Sequence, residues 1–108
     1  AQNIPYDAEL GRLVARVAAL HHMSTAVAGA LERHEPADVS ASVVKLLGTS
    51  TEGDIADFAD LRTGDETTTG AGFRDLIGVA VDQRPGFTLR GGTTEVLRGV
   101  IARGLGLR

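Results

Sequence analysis

The sequence predicts an all-α fold: an antiparallel helical bundle of two long helices, one short helix and a C-terminal helix. Three observations predict it. Apolar residues recur at three- and four-residue spacing through most of the chain. Alanine and the branched aliphatics dominate, with one tyrosine, three phenylalanines and no tryptophan, which favours interdigitating helices over a β-sandwich. Proline and the polar, glycine-rich strings fall between the periodic runs rather than inside them.

The first helix is expected after a lead-in, "AQNIPYD", with Asp7 as its N-cap. Leu10, Leu13, Val17, Leu20, Val27 and Leu31 share one face. Ala18, Ala26 and Ala30 permit close approach of a neighbour. The run is about 25 residues, roughly 38 Å at 1.5 Å per residue. Pro36 ends this helix or begins the next, since proline is accepted only in a first turn.

The second helix is expected over "ADVSASVVKLLGTSTEGDIADFADL", with Val39, Val43, Leu46, Leu47, Ile55, Phe58 and Leu61 as its buried stripe. Gly48 and Gly53 each weaken it by about 1 kcal/mol relative to alanine. They act either as tolerated defects or as points of close packing. Thr63 to Gly72 is polar and turn-rich, hence a loop. Phe73, Leu76, Ile77, Ala80 and Val81 mark a short helix stopped by Pro85-Gly86. The last helix is expected from about Thr94 to Arg103, with Val96, Leu97, Val100 and Ile101 buried and Gly104 as its C′ residue. The two long helices exceed what a self-contained bundle of this mass needs, which predicts an apolar surface left over for a partner.

The 108 residues allow at most one domain. The net charge of −3 and the scattered basic residues disfavour a nucleic-acid binder. Arg90, Arg98, Arg103 and Arg108 cluster near the end, but Arg103 and Arg108 fall where a helix C-terminus attracts cations in any case. No cysteine is present, which excludes disulfides and thiolate metal sites. No run approaches the roughly 20 apolar residues of a membrane span, and no apolar leader opens the chain. A cytoplasmic protein without membrane insertion is the expectation.

Chemistry-bearing residues are few. His21 and His22 are adjacent on a helix, about 100° apart, so they converge poorly on a metal. His34 falls at a helix end that favours an imidazolium. No metal site is expected. Asp54, Asp57 and Asp60 recur every three residues and read as a solvated stripe rather than a carboxylate cluster. The stretch "RGGTTE" is more informative. Gly91 and Gly92 let backbone approach a neighbour, Thr93 or Thr94 suits an N-cap, and Glu95 complements the positive helix end. Free amides at such a start also suit an anion, so a well-made cap and a ligand contact are both open.

The string "GGTTEVLRGVIARGLGL", Gly91 to Leu107, closely resembles the C-terminal signature of the acyl-CoA dehydrogenase family. There a Gly-Thr-x-Glu/Gln segment opens the last helix and an Ile-Ala-Arg-x-Leu-Gly-Leu type ending closes the chain. Two long helices, Lys45 within "SASVVKLL" and a loop ahead of the signature are compatible with that family's C-terminal domain. The resemblance implies that residues 1–108 are a single C-terminal helical domain, most of a four-helix bundle without its first helix, and without the family's N-terminal helical and central β domains. It implies FAD as cofactor in the complete protein, an acyl-CoA substrate, and a homo- or hetero-oligomer.

The implied reaction is α,β-dehydrogenation of the thioester, the hydride chemistry being the flavin's and the positioning the protein's. It also implies FAD contact at Thr93, Thr94 and Glu95, and a place near the thioester for Gly92. Many members carry a glutamate base where this chain has Gly91, so no catalytic residue is implied here and the chain alone is expected to be inactive. The Gln-x-x-Gly-Gly loop element has only a loose counterpart at Asp60 to Gly64, and the Arg-Asp pair only one at Arg74-Asp75. A stand-alone helical assembly module without catalytic activity is the competing reading.

Overall fold

A computed structural model describes residues 3–62 and 70–107, with side chains described from residue 8 onward. Four helices occur in this order: α1 (Asn3–Glu32), α2 (Asp38–Arg62), α3 (Ala71–Phe87) and α4 (Thr94–Gly104). No strand occurs among the described residues. The all-α bundle predicted from periodicity is the observed fold.

α2 is the shared neighbour. It packs against α1, α3 and α4, whereas no Cα atoms of those three helices approach one another within 8 Å. The register is antiparallel on both sides. Glu9 near the start of α1 pairs with Arg62 at the end of α2 at 3.0 Å, and Arg16 pairs with Asp54 further in. On the other side, Arg84 at the end of α3 meets Asp57 at 2.9 Å, and Gly104 at the end of α4 meets Val39 at the start of α2. Helices α3 and α4 thus follow one another along α2, covering its C-terminal and N-terminal halves in turn. The molecule is three rods wide and 52 × 27 × 26 Å, with a radius of gyration of 17.0 Å against about 13 Å for a compact domain of 100 residues.

That layout leaves a thin core. Leu13, Ala37, Ala56, Ile77 and Leu97 are its buried apolar residues. The contact faces of α2 are made of small residues, with Ser42, Thr49, Thr51, Gly53 and Ala56 buried. Burying hydroxyls costs free energy unless they are bonded. Here Thr49 donates to the Lys45 carbonyl at 3.0 Å and Thr51 to the Leu47 carbonyl at 2.7 Å, so both are satisfied within the helix.

The predicted apolar stripes are correspondingly less covered than expected. On α2, Leu47, Ile55 and Leu61 are exposed, Leu61 by 78%. Leu10, Val17 and Leu31 of α1, Phe73 and Leu76 of α3, and Val96 of α4 are exposed too. The spacing was helical, but each outer helix has α2 on one side only.

Several boundaries differ from the sequence reading for local reasons. α1 begins at Asn3 with Pro5 in its first turn, where a missing N–H is harmless; Asp7 therefore lies inside the helix and is not its N-cap. α3 starts at Ala71 after Gly70 and runs through Pro85 to Phe87. Proline three residues from the end removes one bond without breaking what precedes it. Residues 63–69 of the expected loop lie outside the described residues.

Both C-terminal caps are informative. At the end of α1, His34 takes φ 56°. Its N–H donates to the Leu31 carbonyl at 3.0 Å, and that of Glu35 to Ala30 at 2.9 Å. This is the Schellman arrangement with histidine where glycine is usual. At the end of α4 the same pattern recurs: Gly106 (φ 80°) donates to Arg103 and Leu107 to Ala102. Gly106, not Gly104, is the C′ residue. Gly104 is the last helical residue, and a Cβ there would overlap Val39 Cγ2. The two glycines of "RGLGLR" thus do different work, one for close packing and one for a left-handed turn.

Three stability outcomes follow. Gly104→Ala is expected to cost about 1–3 kcal/mol by overpacking a stiff β-branched neighbour, whereas Gly48→Ala, with open space around the new Cβ, gains up to about 1 kcal/mol of helix propensity. His34→Gly relieves a left-handed side-chain clash of about 1–2 kcal/mol and raises the unfolding midpoint. Urea and thermal denaturation of the three variants check the signs.

Candidate functional site

The site is built at the break between α3 and α4. After Phe87 the chain cannot continue as helix. The Leu89 and Arg90 N–H groups both donate to the Gly86 carbonyl at 3.2 Å, and Gly91 and Gly92 then take φ 66° and 113°. Only glycine accepts such angles readily, so the pair redirects the chain into α4. Gly92 is also in ordinary contact with Leu97, whose Cδ2 would lie 3.4 Å from a Cβ at position 92.

Thr93 closes the turn in an extended conformation and caps α4 by accepting from the Val96 N–H at 3.3 Å. Its hydroxyl proton remains available to a further acceptor. Glu95 sits in the first turn of α4 and is exposed, where a carboxylate complements the helix dipole.

Beside this turn lies a cavity of about 390 Å³ walled by all three helices. α2 contributes Leu46, Leu47, Thr49, Ser50, Gly53 and Asp54; the end of α3 contributes Arg84, Pro85 and Thr88; α4 contributes Thr94 and Arg98. The volume is at the lower end of small-molecule sites, about 300–1,000 Å³. Thr94 and Arg98 are one turn apart on α4 and share its inner face. Arg98 has no carboxylate in ion-pair range among the described residues. Arg84 is committed elsewhere, to Asp57 and to the Gly53 carbonyl at 3.4 Å. A Cβ at Gly53 would come within 3.2 Å of its Nε. Gly53 is therefore a packing glycine, while Gly48 is a tolerated one.

Of the sequence candidates, Thr94 lines the cavity, Gly92 and Thr93 precede it in the turn without lining the cavity, and Glu95 is exposed on the same helix start. Gly91 is exposed, with Lys45 of α2 alongside: Cε and Nζ would lie 3.6 and 3.8 Å from a Cβ at 91. The loose counterparts of family elements stand apart from this place: Asp60 is near the end of α2, with 63 and 64 outside the described residues, and Arg74-Asp75 is exposed near the start of α3.

The aspartate stripe is not simply solvated. Asp54 pairs with Arg16 of α1 and Asp57 with Arg84 of α3, so it ties α2 to helices on both sides through half-exposed pairs. The C-terminal arginines do not act together either. Arg90 lies over the Phe87 ring at 5.4 Å and reaches Glu52 at 3.8 Å, Arg98 lines the cavity, and Arg103 occupies the last turn of α4. His21 and His22 are exposed with ring centroids 6.0 Å apart. No group of metal-ligating side chains occurs among the described residues.

Arg84 and Lys45 were not legible as site residues, because their places depend on which part of α2 faces the turn. The spacing of Thr94 and Arg98 was available in the sequence.

Among known proteins, the model for the family described as "Acyl-CoA dehydrogenase, C-terminal domain" matches residues 6–106. No curated protein and no solved structure matches the chain.

Thr93→Ala is expected to destabilise the chain by about 1 kcal/mol through loss of the cap, with Thr93→Ser close to wild type. Chemical denaturation measures this, and amide exchange at Val96 reports the cap locally.

Proposed function

Because this chain belongs to the acyl-CoA dehydrogenase family, within its C-terminal domain, we propose that it serves as the C-terminal helical part of an FAD-dependent dehydrogenase acting on an acyl-CoA thioester. The observation that carries this reading is the break between α3 and α4. There a twin-glycine turn and a threonine cap lie beside a cavity of mixed polar and apolar lining, within the segment that resembles the family's C-terminal signature. In this reading Thr93, Thr94 and Glu95 lie against FAD and Gly92 lies near the thioester.

The residues present suit the cofactor. Thr93 has a hydroxyl proton to donate, Thr94 projects into the cavity, and Arg98 offers a guanidinium to electron-rich oxygens. A cavity of about 390 Å³ takes part of a dinucleotide, in keeping with a site shared with protein outside these residues. FAD held here would supply the hydride-accepting chemistry. This chain binds and orients. Gly91 has no side chain to take the α-proton, so the base comes from elsewhere in the complete protein.

The exposed apolar residues of α1, α2 and α3 support an assembly role as well, in contact with further segments or subunits. No helix among the described residues is long and apolar enough to cross a membrane.

FAD titrated into the chain, followed by ¹H–¹⁵N spectra, is expected to shift amides between residues 91 and 98 with weak affinity. An acyl-CoA with dye acceptor is expected to show no turnover. Shifts confined to other helices would remove the cofactor reading. Stoichiometric flavin retention with turnover would show that the chain is not merely a part. A stable oligomer indifferent to FAD would favour the assembly module instead.

A further inference from the structure

We propose that α1 exchanges between two copies of this chain, each α1 packing on the α2 of the other to form a swapped dimer. The inference concerns assembly alone and stands whether or not the α3–α4 break meets a flavin. α1 is free to leave as a unit. Among the described residues its only helical neighbour is α2. The pairs that set its register, Arg16 with Asp54 and Glu9 with Arg62, join those two helices and no others. A second copy offers the same face, so the contacts given up within one chain are regained between two.

The connection between α1 and α2 disfavours the closed form. His34 has φ 56° and is the one non-glycine residue with positive φ among the described residues. In that region a Cβ crowds the backbone carbonyl, and opening the chain releases it; short connections under strain invite exchange. Glu35 precedes Pro36, and proline biases the residue before it toward extended backbone, so the connection is inclined to straighten. The cap bonds lost on opening, from His34 to Leu31 and from Glu35 to Ala30, lie at an exposed helix end where water replaces them. Straightened, residues 33–37 reach about 17 Å at ~3.3–3.6 Å per residue. Packed helix axes are only about 8–10 Å apart.

The surface brought to the two-fold axis is apolar. In such a dimer the two connections pass one another, so the residues flanking them face the other copy. Leu31, one turn before His34, is 59% exposed. An open apolar groove of about 340 Å³ between Met23, Ala26, Val27, Val43 and Val44 lies within about three turns of the connection. Burial of this surface favours the dimer and supplies what identical α1–α2 contacts cannot.

The chain has no cysteine, so Arg16→Cys and Asp54→Cys introduced together are its only thiols, and a short bis-maleimide joins them across the α1–α2 contact. In an exchanged dimer the link runs between chains and a denaturing gel shows a covalent dimer. In a monomer, or in a dimer whose α1 stays on its own α2, the link runs within one chain. Size exclusion with light scattering is expected to show a concentration-dependent dimer of the wild type, and the dimer fraction of the double variant is expected to give the interchain band. His34→Gly relaxes the closed form of both connections and is expected to weaken dimerisation about tenfold or more, whereas His34→Ala, still strained, dimerises like the wild type. A wild type that stays monomeric to millimolar concentration, a link that stays within chains in the dimer fraction, or dimerisation unchanged by His34→Gly would each overturn the proposal.

Discussion

Everything in this fold leans on one helix. α2 touches α1 on one side and the α3–α4 pair on the other, and no Cα atoms of the outer helices come within 8 Å of one another. Close approach of helices from two sides goes with small side chains on the contact faces of α2. The buried positions of α2 are accordingly serine, threonine, glycine and alanine, and the large aliphatics are displaced to its flanks. Close approach replaces volume as the source of contact. Dispersion between well-fitted backbones contributes at each contact, but the apolar area removed from water stays small. No described side chain is completely buried. Half-exposed ion pairs on both sides of α2 fix the register, although pairs of this kind add little to stability.

The same constraint creates the site. Because α3 and α4 lie end to end along one helix, the chain must turn between them while still facing α2. The turn therefore opens opposite the middle of α2, where Lys45, Thr49 and Gly53 lie. A cavity forms at the gap because neither helix end reaches the other. Local chemistry then specialises it: two glycines at positive φ set the direction, Thr93 starts the helix, and Arg84 fills the space Gly53 leaves. The match to the acyl-CoA dehydrogenase C-terminal domain, residues 6–106, runs through this turn.

Helix existence and order were legible in the sequence because they depend on spacing, and spacing is local. The N-cap at Thr93 was legible to within one residue for the same reason. Burial was not. A stripe such as Leu47–Ile55–Leu61 has the period of a core face, yet its coverage depends on how many helices surround it. The caps were only partly readable: Gly104 and Gly106 are both plausible stops, and only the contact with Val39 assigns one to packing and the other to the turn. Pro85 looked like a terminator, but its place near the end of α3 makes its missing donor inexpensive. Asp54 and Asp57 looked solvated because their partners, Arg16 and Arg84, are distant in sequence.

The contact between Gly104 and Val39 has a consequence beyond stability. α4 has only 11 residues, too few to hold a helix in water unaided, and its anchors on α2 are Leu97 at one end and this glycine at the other. If the far anchor loosens, the helix unwinds toward Thr94 and takes one wall of the cleft with it. The shape of the cleft is then governed by a hinge-pin remote from it, and a single methyl group added at Gly104 would be felt at the doorway.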